Sequence, residues 1–465
     1  MVTSRPLLRR SNPLGIVENN EPIVDLDDLL LPFHEAEKPR RRWRIGTEAE
    51  KFGVLEDTGL PIPYEGDRSV LVVLDSLRQR HGWYPESEYV GGETISLRRG
   101  DSSITLEPGG QLELSGAPLE TVHETCQEIR GHMAELEAIS EDLGIVWLGL
   151  GFHPLATAEQ SPWVPKLRYS VMREYLPTRG SMAIDMMQRT ATVQCNMDFS
   201  DEEDALRKLR LGLRLSPIVT AIFANSPWVE GRATGERSHR ARVWLNMDPD
   251  RSGLLPFLWG DDEGSYRDYV DWALDVPMFL IRRGQSVIRN TGQTFRSFLS
   301  DGASGERATR GDWETHLNSL FPEARLKRTL EVRGADAQST DRLCSLPALW
   351  KGLLYEPDAM AKAESLVSRL SVEEAEAARE PIADRALRAK LGGREVAEWA
   401  SEVLAIASGG LARLNHLSGA GKDERVHLDE LQRLVDEGLS PADALLREVG
   451  SDSASVARIL EVARS

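Results

Sequence analysis

Two carboxylates stand two residues apart in the segment RWRIGTEAEKFGV, residues 42–54. Alternate side chains of an extended strand point to the same face, so Glu48 and Glu50 would project to one side. There they repel each other unless a cation lies between them, and Mg²⁺ takes oxygen ligands of this kind together with phosphate oxygens. The spacing indicates a candidate metal-binding strand. The alternative is a solvated edge strand with two surface glutamates.

Two further carboxylates flank a glycine-rich break in SSITLEPGGQLELSG, residues 102–116. Glu107 and Glu113 share their parity with Thr105 and Gln111, while the other parity is largely apolar. The PGG sequence interrupts the strand, as at a bulge or a tight bend, and bulges often re-aim side chains near active sites. The carboxylates favour a functional site here. The alternative is an ordinary hairpin turn between two strands.

A row of neutral hydrogen-bonding groups marks the segment MQRTATVQCNMDF, residues 187–199. Its even positions are Gln188, Thr190, Thr192, Gln194, Asn196 and Asp198. A strand that faces water would normally carry lysine, arginine or glutamate, whereas neutral groups suit a pocket for a polar small molecule. Arg189 is placed to clamp a carboxylate through two parallel hydrogen bonds. Cys195 falls on the apolar face and is expected to be a small buried hydrophobe.

Charged residues alternate in the segment EARLKRTLEVRGAD, residues 323–336. One parity carries Arg325, Lys327, Glu331 and Arg333. Three cations and one carboxylate fit a polyphosphate with its metal, because cations neutralise the charge that develops during phosphoryl transfer. The alternative is an exposed strand with internal ion pairs.

Several common motifs are absent from the sequence. No GxxxxGK[ST] or GxSxG occurs, no GxGxxG follows a strand, and the histidines lack HExxH spacing. If ATP binds, we therefore expect it at carboxylate-held metals and arginines rather than at a glycine-rich helix N-terminus. The histidines expected to be structural or surface residues are His123, His132, His153, His239 and His316.

The elements that must position these groups indicate an α+β body over residues 41–360. Within it, residues 121–144 are predicted to form a helix that ends at Gly144. A second helix is predicted over 205–226, where Pro217 threatens a break or kink.

The two ends of the chain differ from the body. Residues 1–40 are expected to form an irregular leader. Residues 361–465 are rich in Ala, Glu, Leu and Arg, and we predict a helical portion packed on the body. Ser440 and Pro441 are predicted to open the second helix of a helical pair there.

Composition limits the class of protein. The chain has 465 residues, of which 41% are hydrophobic and 28% charged, as in a soluble globular protein. A net charge of −18 argues against nucleic-acid and anionic-membrane partners, although a local phosphate site is compatible with it. We see no apolar run of transmembrane length and no secretory signal, so cytoplasm is expected.

The three cysteines are Cys126, Cys195 and Cys344. They lack metal-like spacing, so no zinc site is expected, and they are too few for a disulfide scaffold. This usage suits a reducing compartment. For Cys344 a buried thiol is the simplest interpretation.

Taken together, the segments resemble the plant and proteobacterial type of glutamate–cysteine ligase, in the glutamine-synthetase-like carboxylate–amine ligase superfamily. The matching stretches are IGTEAEKFGV, ITLEPGGQLELSG, MMQRTATVQCNMDF, YVDWALDVPMFLIRRG, DWETHLNSLFPEARLKRTLEVRGAD and RLCSLPALWKGLLY. They occur in family order over residues 43–356, and the C-terminal GLSPADALL is also similar.

The resemblance implies an antiparallel sheet curved into a funnel, surrounded by helices. It implies that ATP phosphorylates the side-chain carboxylate of glutamate, and that the amine of cysteine then displaces the phosphate. The product would be γ-glutamylcysteine, from which glutathione is built. The implied partners are ATP, Mg²⁺, glutamate and cysteine, without nucleic acid or membrane, and the chain would be a monomer or a homodimer.

The resemblance also assigns roles to residues. The implied metal ligands are Glu48, Glu50, Glu107, Glu113 and Glu331. The implied substrate-binding residues are Arg189, Thr190, Thr192, Gln194, Asn196, Arg242 and Trp244. The implied catalytic residues are Glu50, Arg333 and Lys327, of which the two cations would face phosphates. Plant members use disulfides for redox control, and we do not carry that switch over because no cysteine pairing follows from the sequence.

Other functions stay open. A related γ-glutamyl ligase with a different amine acceptor would share the metal and phosphate chemistry. A catalytically inactive relative would serve as a binding protein, and a metal-dependent phosphotransferase would make a stable phosphorylated product. Identification of the product distinguishes these alternatives.

Overall fold

The computed structural model describes residues 19–88, 92–260, 264–284, 286–450 and 455–465. Its helices are α1 (Leu26–His34), α2 (Val70–His81), α3 (Val122–Leu143), α4 (Leu167–Tyr175), α5 (Ala183–Arg189), α6 (Glu202–Ile222), α7 (His239–Leu245), α8 (Tyr266–Asp275), α9 (Phe295–Asp301), α10 (Arg310–Leu317), α11 (Thr340–Leu343), α12 (Ser345–Leu354), α13 (Pro357–Val367), α14 (Val372–Arg385), α15 (Val396–Leu414), α16 (Asp429–Asp436), α17 (Pro441–Val449) and α18 (Val456–Ala463). Short 3₁₀ helices cover Arg40–Arg42, Leu176–Thr178, Pro256–Leu258, Ala386–Arg388 and Glu424–His427.

The strands are β1 (Ile45–Leu55), β2 (Tyr84–Glu86), β3 (Ser96–Arg99), β4 (Ser102–Leu106), β5 (Leu112–Ser115), β6 (Ile145–Leu148), β7 (Thr192–Met197), β8 (Trp228–Val229), β9 (Arg232–Ala233), β10 (Ser252–Gly253), β11 (Leu280–Arg283), β12 (Ser286–Arg289), β13 (Phe321–Pro322), β14 (Ala324–Leu326), β15 (Leu330–Asp336), β16 (Lys390–Leu391) and β17 (Arg394–Glu395).

A nine-stranded sheet organises the molecule. Its order is β14-β15-β7-β1-β5-β4-β3-β2, with β6 paired to β1. The pairings in this sheet are antiparallel, and helices surround it. The predicted α+β class with a large antiparallel sheet is confirmed. Closure of that sheet into a funnel stays a prediction, as do the three domain boundaries.

Strand β1 lies at the centre of this sheet. Residues 45–49 pair with β7 and residues 48–51 with β5, whereas residues 52–55 pair with β6. Ile45 and Ala49 are buried on the core face, so the period of two places Glu48 and Glu50 on the opposite face.

Segment 102–116 forms a hairpin rather than one interrupted strand. Strands β4 and β5 pair through a tight turn in which Gly110 adopts φ 81° and its N–H donates to the Glu107 carbonyl at 2.9 Å. A Cβ on Gly109 would lie 2.2 Å from the Gln188 carbonyl oxygen, so the backbone there requires glycine. The ordinary hairpin turn, which the sequence left as the alternative, is what the structure shows.

Segment 187–199 begins as a helix and continues as a strand. Residues up to Arg189 belong to α5, and the alternation starts only at Thr192 in β7. The row of neutral side chains on one strand face is therefore shorter than predicted.

The helical predictions are confirmed over α3 and corrected over α6. Helix α3 opens with a capping box at Thr121 and closes at Gly144 with φ 59°. Helix α6 runs through Pro217 without a break. Proline cannot donate to the Leu213 carbonyl one turn earlier, and the Ser216 hydroxyl donates to that oxygen at 2.9 Å instead.

The described residues that precede and follow the body pack on it. The predicted irregular leader contains α1, which buries Leu29, Leu30 and Phe33, while residues 1–18 lie outside the described part. Ser440 caps α17 with Pro441 in its first turn, as predicted. Helix α18 adds a small apolar cluster against the β1 half that pairs with β6.

Two cysteines form a disulfide. Cys126 in α3 is bonded to Cys344, which precedes α12, so the interpretation of Cys344 as a free thiol is wrong. The two residues are 218 positions apart, and the packing of α3 beside α11, which ends at Cys344, brings them together. Cys195 is free and fully buried, as predicted.

None of the helices in the described ranges combines the length and apolar character needed to span a membrane.

Candidate active site on the central sheet

Four carboxylates gather where β1, β5 and the β4–β5 turn meet. The antiparallel register places Glu50 directly opposite Glu113. Burial raises the pKa of Glu50 well above its usual value, and the charges of Glu107 and Glu113 raise it further. Burial, followed by the charges of Glu48 and Glu107, raises the pKa of Glu113 to about 8. We call Glu48, Glu50, Glu107 and Glu113 the carboxylate cluster. The protein itself does not neutralise the negative charge of this cluster.

Strand β7 holds two of these carboxylates through neutral donors. The Thr192 N–H donates to Glu50 Oε2 at 2.9 Å, and Gln194 Nε2 lies 3.4 Å from Glu50 Oε1. Asn196 Nδ2 donates to Glu48 Oε1 at 2.8 Å. Gln194 and Asn196 thus orient the carboxylate cluster, although the sequence placed them in a substrate pocket.

A second group, the cation cluster, lies on β14, β15 and the turn between them. It consists of Arg325, Lys327, Glu331 and Arg333. Its carboxylate, Glu331, is fully buried and lies 2.6 Å from Arg325 Nη2, 2.6 Å from Lys327 Nζ and 3.8 Å from Arg333 Nε. Burial favours the neutral acid, yet Arg325, Lys327 and Arg333 hold the pKa of Glu331 well below its usual range. Glu331 is therefore engaged by three cations, whereas the carboxylate cluster is held by neutral donors.

A cavity of about 150 Å³ lies between the two clusters. The predicted site residues that line it are Glu50, Glu107, Thr190, Thr192, Trp244 and Arg333. Part of its wall is apolar, formed by methionines and aromatic residues. This mixture of an apolar wall with converging charges is typical of small-molecule sites.

Several buried polar atoms of the lining residues have no hydrogen-bond partner among the residues that the structure describes. They include Trp244 Nε1, Arg240 Nε, Arg333 Nη1 and Gln111 Oε1. Buried polar groups are normally satisfied, so unpaired donors and acceptors at a cavity wall indicate a polar ligand.

Two predicted arginines lie elsewhere. Arg189 is paired with Asp185 at 2.5 Å and Glu230 at 3.0 Å, outside the cavity lining. Arg242 is likewise outside it, and its guanidinium binds three carboxylates: Glu236, Glu380 and Asp384. Carboxylates of the protein therefore already bind the guanidinium groups of both arginines.

Arg240 lies at the cavity, where the sequence analysis had placed Arg242. It is buried and lines the cavity, and it donates to the Arg333 and Gly334 carbonyls at 2.9 and 3.2 Å. Arg240 and Trp244 are four residues apart on α7, so both face one side of the helix. That spacing was a signal available in the sequence, because an arginine four residues before a site tryptophan shares its face.

A buried carboxylate fixes the start of α7. Asp336 accepts from the Ser226 hydroxyl at 2.7 Å, the Ser238 hydroxyl at 2.8 Å and the Asn225 N–H at 2.8 Å. Ser238 is the N-cap of α7, so Asp336 positions the helix that carries Arg240.

Lys166 also borders the site without any signal in the sequence. Its ammonium donates to the Leu106 carbonyl at 2.7 Å, beside the β4–β5 turn. Burial, together with the charge of Arg168, lowers the pKa of Lys166 to about 8. Only the tertiary fold brings this segment beside Glu107.

The donor set fits a hard divalent cation. The four carboxylates repel one another and offer oxygen ligands only, and Mg²⁺ prefers such ligands. Arg240 and Arg333, which line the same cavity, suit an anionic group. The arrangement can therefore bind a metal-associated phosphate close to an acid to be activated.

Known proteins resemble this chain over nearly its full length. The model of the family described as Glutamate-cysteine ligase family 2 (GCS2) matches residues 44–461. Glutamate–cysteine ligase B, chloroplastic, of Oryza sativa subsp. japonica is 44% identical over 433 residues, which cover 92% of this chain and 85% of that protein. Glutamate–cysteine ligase, chloroplastic, of Arabidopsis thaliana is 43% identical over 423 residues, 90% of this chain and 79% of that protein.

A solved structure shares the fold. The glutamate–cysteine ligase of Francisella tularensis in complex with AMP superposes with a TM-score of 0.56 at 13% identity, covering 90% of this chain and 87% of that chain.

These comparisons correct one expectation and establish the family. The expected cytoplasmic location is contradicted, because curated relatives are named chloroplastic. The expectation rested on the lack of a secretory signal, which does not distinguish between cytoplasm and organelle. The match over residues 44–461 and the identity of more than 40% to both relatives lead to one assignment: the chain belongs to glutamate–cysteine ligase family 2.

Proposed function

We propose that this protein uses ATP and Mg²⁺ to join the γ-carboxylate of glutamate to the amine of cysteine, giving γ-glutamylcysteine. Membership of the family supports the overall reaction. The observation that carries the proposal for the chemistry is a single cavity that Glu50 and Glu107 line together with Arg240 and Arg333.

The reaction balances without a nucleophile from the protein. A γ-carboxylate oxygen of glutamate attacks the γ-phosphorus of ATP, and ADP leaves. The cysteine nitrogen then attacks the acyl carbon, the bond from that carbon to the phosphate oxygen breaks, and phosphate leaves. The ammonium loses two protons in all as it becomes an amide N–H.

The carboxylate cluster is proposed to hold the metal. Glu48, Glu50, Glu107 and Glu113 supply the oxygens, and bound Mg²⁺ would neutralise charge on the phosphoryl group. Asn196 and Gln194 keep two of these carboxylates in place.

The cation cluster is proposed to face the phosphates. Arg333 lines the cavity, and one of its guanidinium nitrogens has no hydrogen-bond partner in the described part of the chain. Lys327 contributes through Glu331, which its ammonium contacts at 2.6 Å. Thr190, Thr192, Trp244 and the neighbouring Arg240 are proposed to contact substrate, whereas Arg189 and Arg242 are not, because protein carboxylates already bind them.

The test is ADP release with ATP, Mg²⁺ and glutamate, with and without cysteine, together with mass spectrometry of the product. Cysteine-dependent release with the mass of γ-glutamylcysteine is expected. Release that depends on another amine would indicate a related ligase, and release without a new amide would indicate a phosphotransferase. No turnover in reduced or oxidised protein would indicate an inactive relative.

Glu50→Gln is expected to abolish turnover and to leave the folded structure intact, because a metal ligand is lost while repulsion in the carboxylate cluster falls. Glu56→Gln is the matched control, since Glu56 is exposed just beyond the end of β1. Steady-state rates and circular dichroism measure the two effects. Full activity in Glu50→Gln would remove Glu50 from the site.

A further inference from the structure

Two cysteines and a histidine meet away from the active-site cavity. Cys126 comes from α3, Cys344 precedes α12, and His427 ends the 3₁₀ helix Glu424–His427. One ligand atom of each of these residues lies within 4.8 Å of the others. Both cysteines are buried and His427 is half-buried. The spacing in the sequence gave no sign of this cluster, because its members come from three distant segments.

One sulfur–nitrogen distance in the cluster matches that of a tetrahedral metal site. Cys126 Sγ lies 3.4 Å from His427 Nδ1. Zn–S bonds of about 2.3 Å and Zn–N bonds of about 2.0–2.1 Å place sulfur and nitrogen ligands about 3.5 Å apart around tetrahedral zinc. The histidine nitrogen therefore already occupies a ligand's distance from the sulfur.

The surroundings prepare His427 as a ligand through Nδ1. Its other nitrogen, Nε2, lies 3.0 Å from His123 Nδ1, and its carbonyl accepts from the Ser345 hydroxyl at 2.7 Å. A metal-binding histidine usually donates its second N–H to such a partner, which fixes its orientation.

Cys344 lies where α11 ends and α12 begins, and Cys126 lies within α3, so helices hold both sulfurs beside His427. Two thiolates and one neutral imidazole form a donor set for zinc and similar soft divalent cations, with a fourth position for water or a small thiol.

We propose that reduction of the Cys126–Cys344 disulfide creates a binding site for a zinc-class divalent cation, held by both thiolates and His427 Nδ1. A dithiol supplies two electrons and two protons, is itself oxidised to a disulfide, and leaves two thiols on the protein. Metal binding then releases both protons as the sulfurs coordinate. Disulfide and metal are mutually exclusive, because the same sulfur electrons form either bond.

The test uses Co²⁺ as a probe on the full-length protein. The protein is reduced with a dithiol, freed of it under exclusion of oxygen, and titrated with Co²⁺ in excess Mg²⁺, which fills oxygen-ligand sites. We expect thiolate-to-cobalt charge transfer and tetrahedral d–d bands that saturate at one Co²⁺ per chain. Oxidised protein should show neither. Absence of these bands in reduced protein, or their equal strength in oxidised protein, would overturn the proposal.

Variants locate the ligands. Cys344→Ser and His427→Gln should lose or reshape the thiolate band, and Cys195→Ser should keep it because Cys195 lies in a different part of the core. His123→Ala should weaken Co²⁺ binding by about 10- to 100-fold, because the hydrogen bond that orients the His427 ring is lost. An unchanged band in Cys344→Ser would refute the assignment. If a variant fails to fold, the comparison of oxidised and reduced wild type still decides the question.

Discussion

At the scale of single residues, the site is defined by unbalanced charge. Glu113 is buried opposite Glu50, and the protein offers the carboxylate cluster neutral donors but few cations. Removing such carboxylates from water favours their protonated form. The stability of the metal-free protein must therefore depend on pH in a defined direction.

Without metal, the free energy of unfolding should fall as pH rises from about 4.5 to about 8. The folded-state pKa of Glu113 is about 8 against an ordinary value of 4.5, so the folded protein binds more protons than the unfolded chain in that window. The loss is at most about 1.4 kcal/mol per pH unit for this group. Thermal unfolding in chelator and in Mg²⁺ measures it.

Mg²⁺ should raise the unfolding temperature more at pH 8 than at pH 5, and Glu113→Gln should flatten the chelator curve. An equal effect of Mg²⁺ at both pH values would contradict the assignment of the cluster as a metal site.

Arg240→Ala should raise KM for a substrate or lower kcat by about tenfold or more, since a charged hydrogen bond contributes about 1.5–3 kcal/mol. Arg242→Ala is the matched comparison, two residues along the same helix with its fork bound to protein carboxylates. Its effect on KM should be small. Initial rates at varied glutamate and cysteine measure both, and the reverse ranking would restore the assignment first made from the sequence.

At the scale of elements, strand alternation and helix-capping residues predicted the features that depend on neighbouring residues alone. The period of two placed Glu48 and Glu50 on one face of β1, and the capping residues placed the ends of α3 and α17. Pro217 was misjudged because Ser216 supplies the missing hydrogen bond, a compensation visible only once the helix is built.

Contacts between residues far apart in the sequence could not be predicted from local patterns. Arg189 looked like a free carboxylate clamp, yet Glu230 from a distant turn binds it. The choice between Arg240 and Arg242 depended on which side of α7 faces β15. The resemblance to a family supplied the fold, but residue roles still required the packed structure.

Gly109→Ala should lower both activity and unfolding temperature. The added Cβ would lie 2.2 Å from the Gln188 carbonyl oxygen, so the turn that carries Glu107 must shift. Gly131→Ala is the control: it lies inside α3 with no heavy atom within 4 Å of the new Cβ. There alanine should stabilise the helix by up to about 1 kcal/mol. Differential scanning calorimetry and turnover compare the two, and a neutral Gly109→Ala would show that the turn adapts.

At the scale of the whole molecule, the disulfide joins α3, a helix that covers the sheet, to the start of α12. Its two cysteines are 218 residues apart in the sequence. Long closed loops restrict the unfolded chain, and such a bond typically contributes about 2–4 kcal/mol. It therefore links the first third of the chain to the helices that follow the cation cluster.

Reduction should lower the urea midpoint of the wild-type protein by an amount that corresponds to about 2–4 kcal/mol. Cys344→Ser should match the reduced wild type and show no further response to reductant. Unfolding followed by tryptophan fluorescence measures both, and equal midpoints for oxidised and reduced wild type would mean that the bond does not constrain the unfolded state.

The order of strands in the sheet also bears on how the chain is made. Strand β1 can pair with β5, β6 and β7 while translation is still in progress, because all three follow it within the first half of the sequence. Strand β15, which carries Arg333, adds to β7 only after a long intervening stretch has been synthesised. A ribosome-bound nascent chain would therefore display an acidic half-site with an uncovered β7 edge. That edge is the point at which a chaperone would have to protect the chain until its basic half arrives.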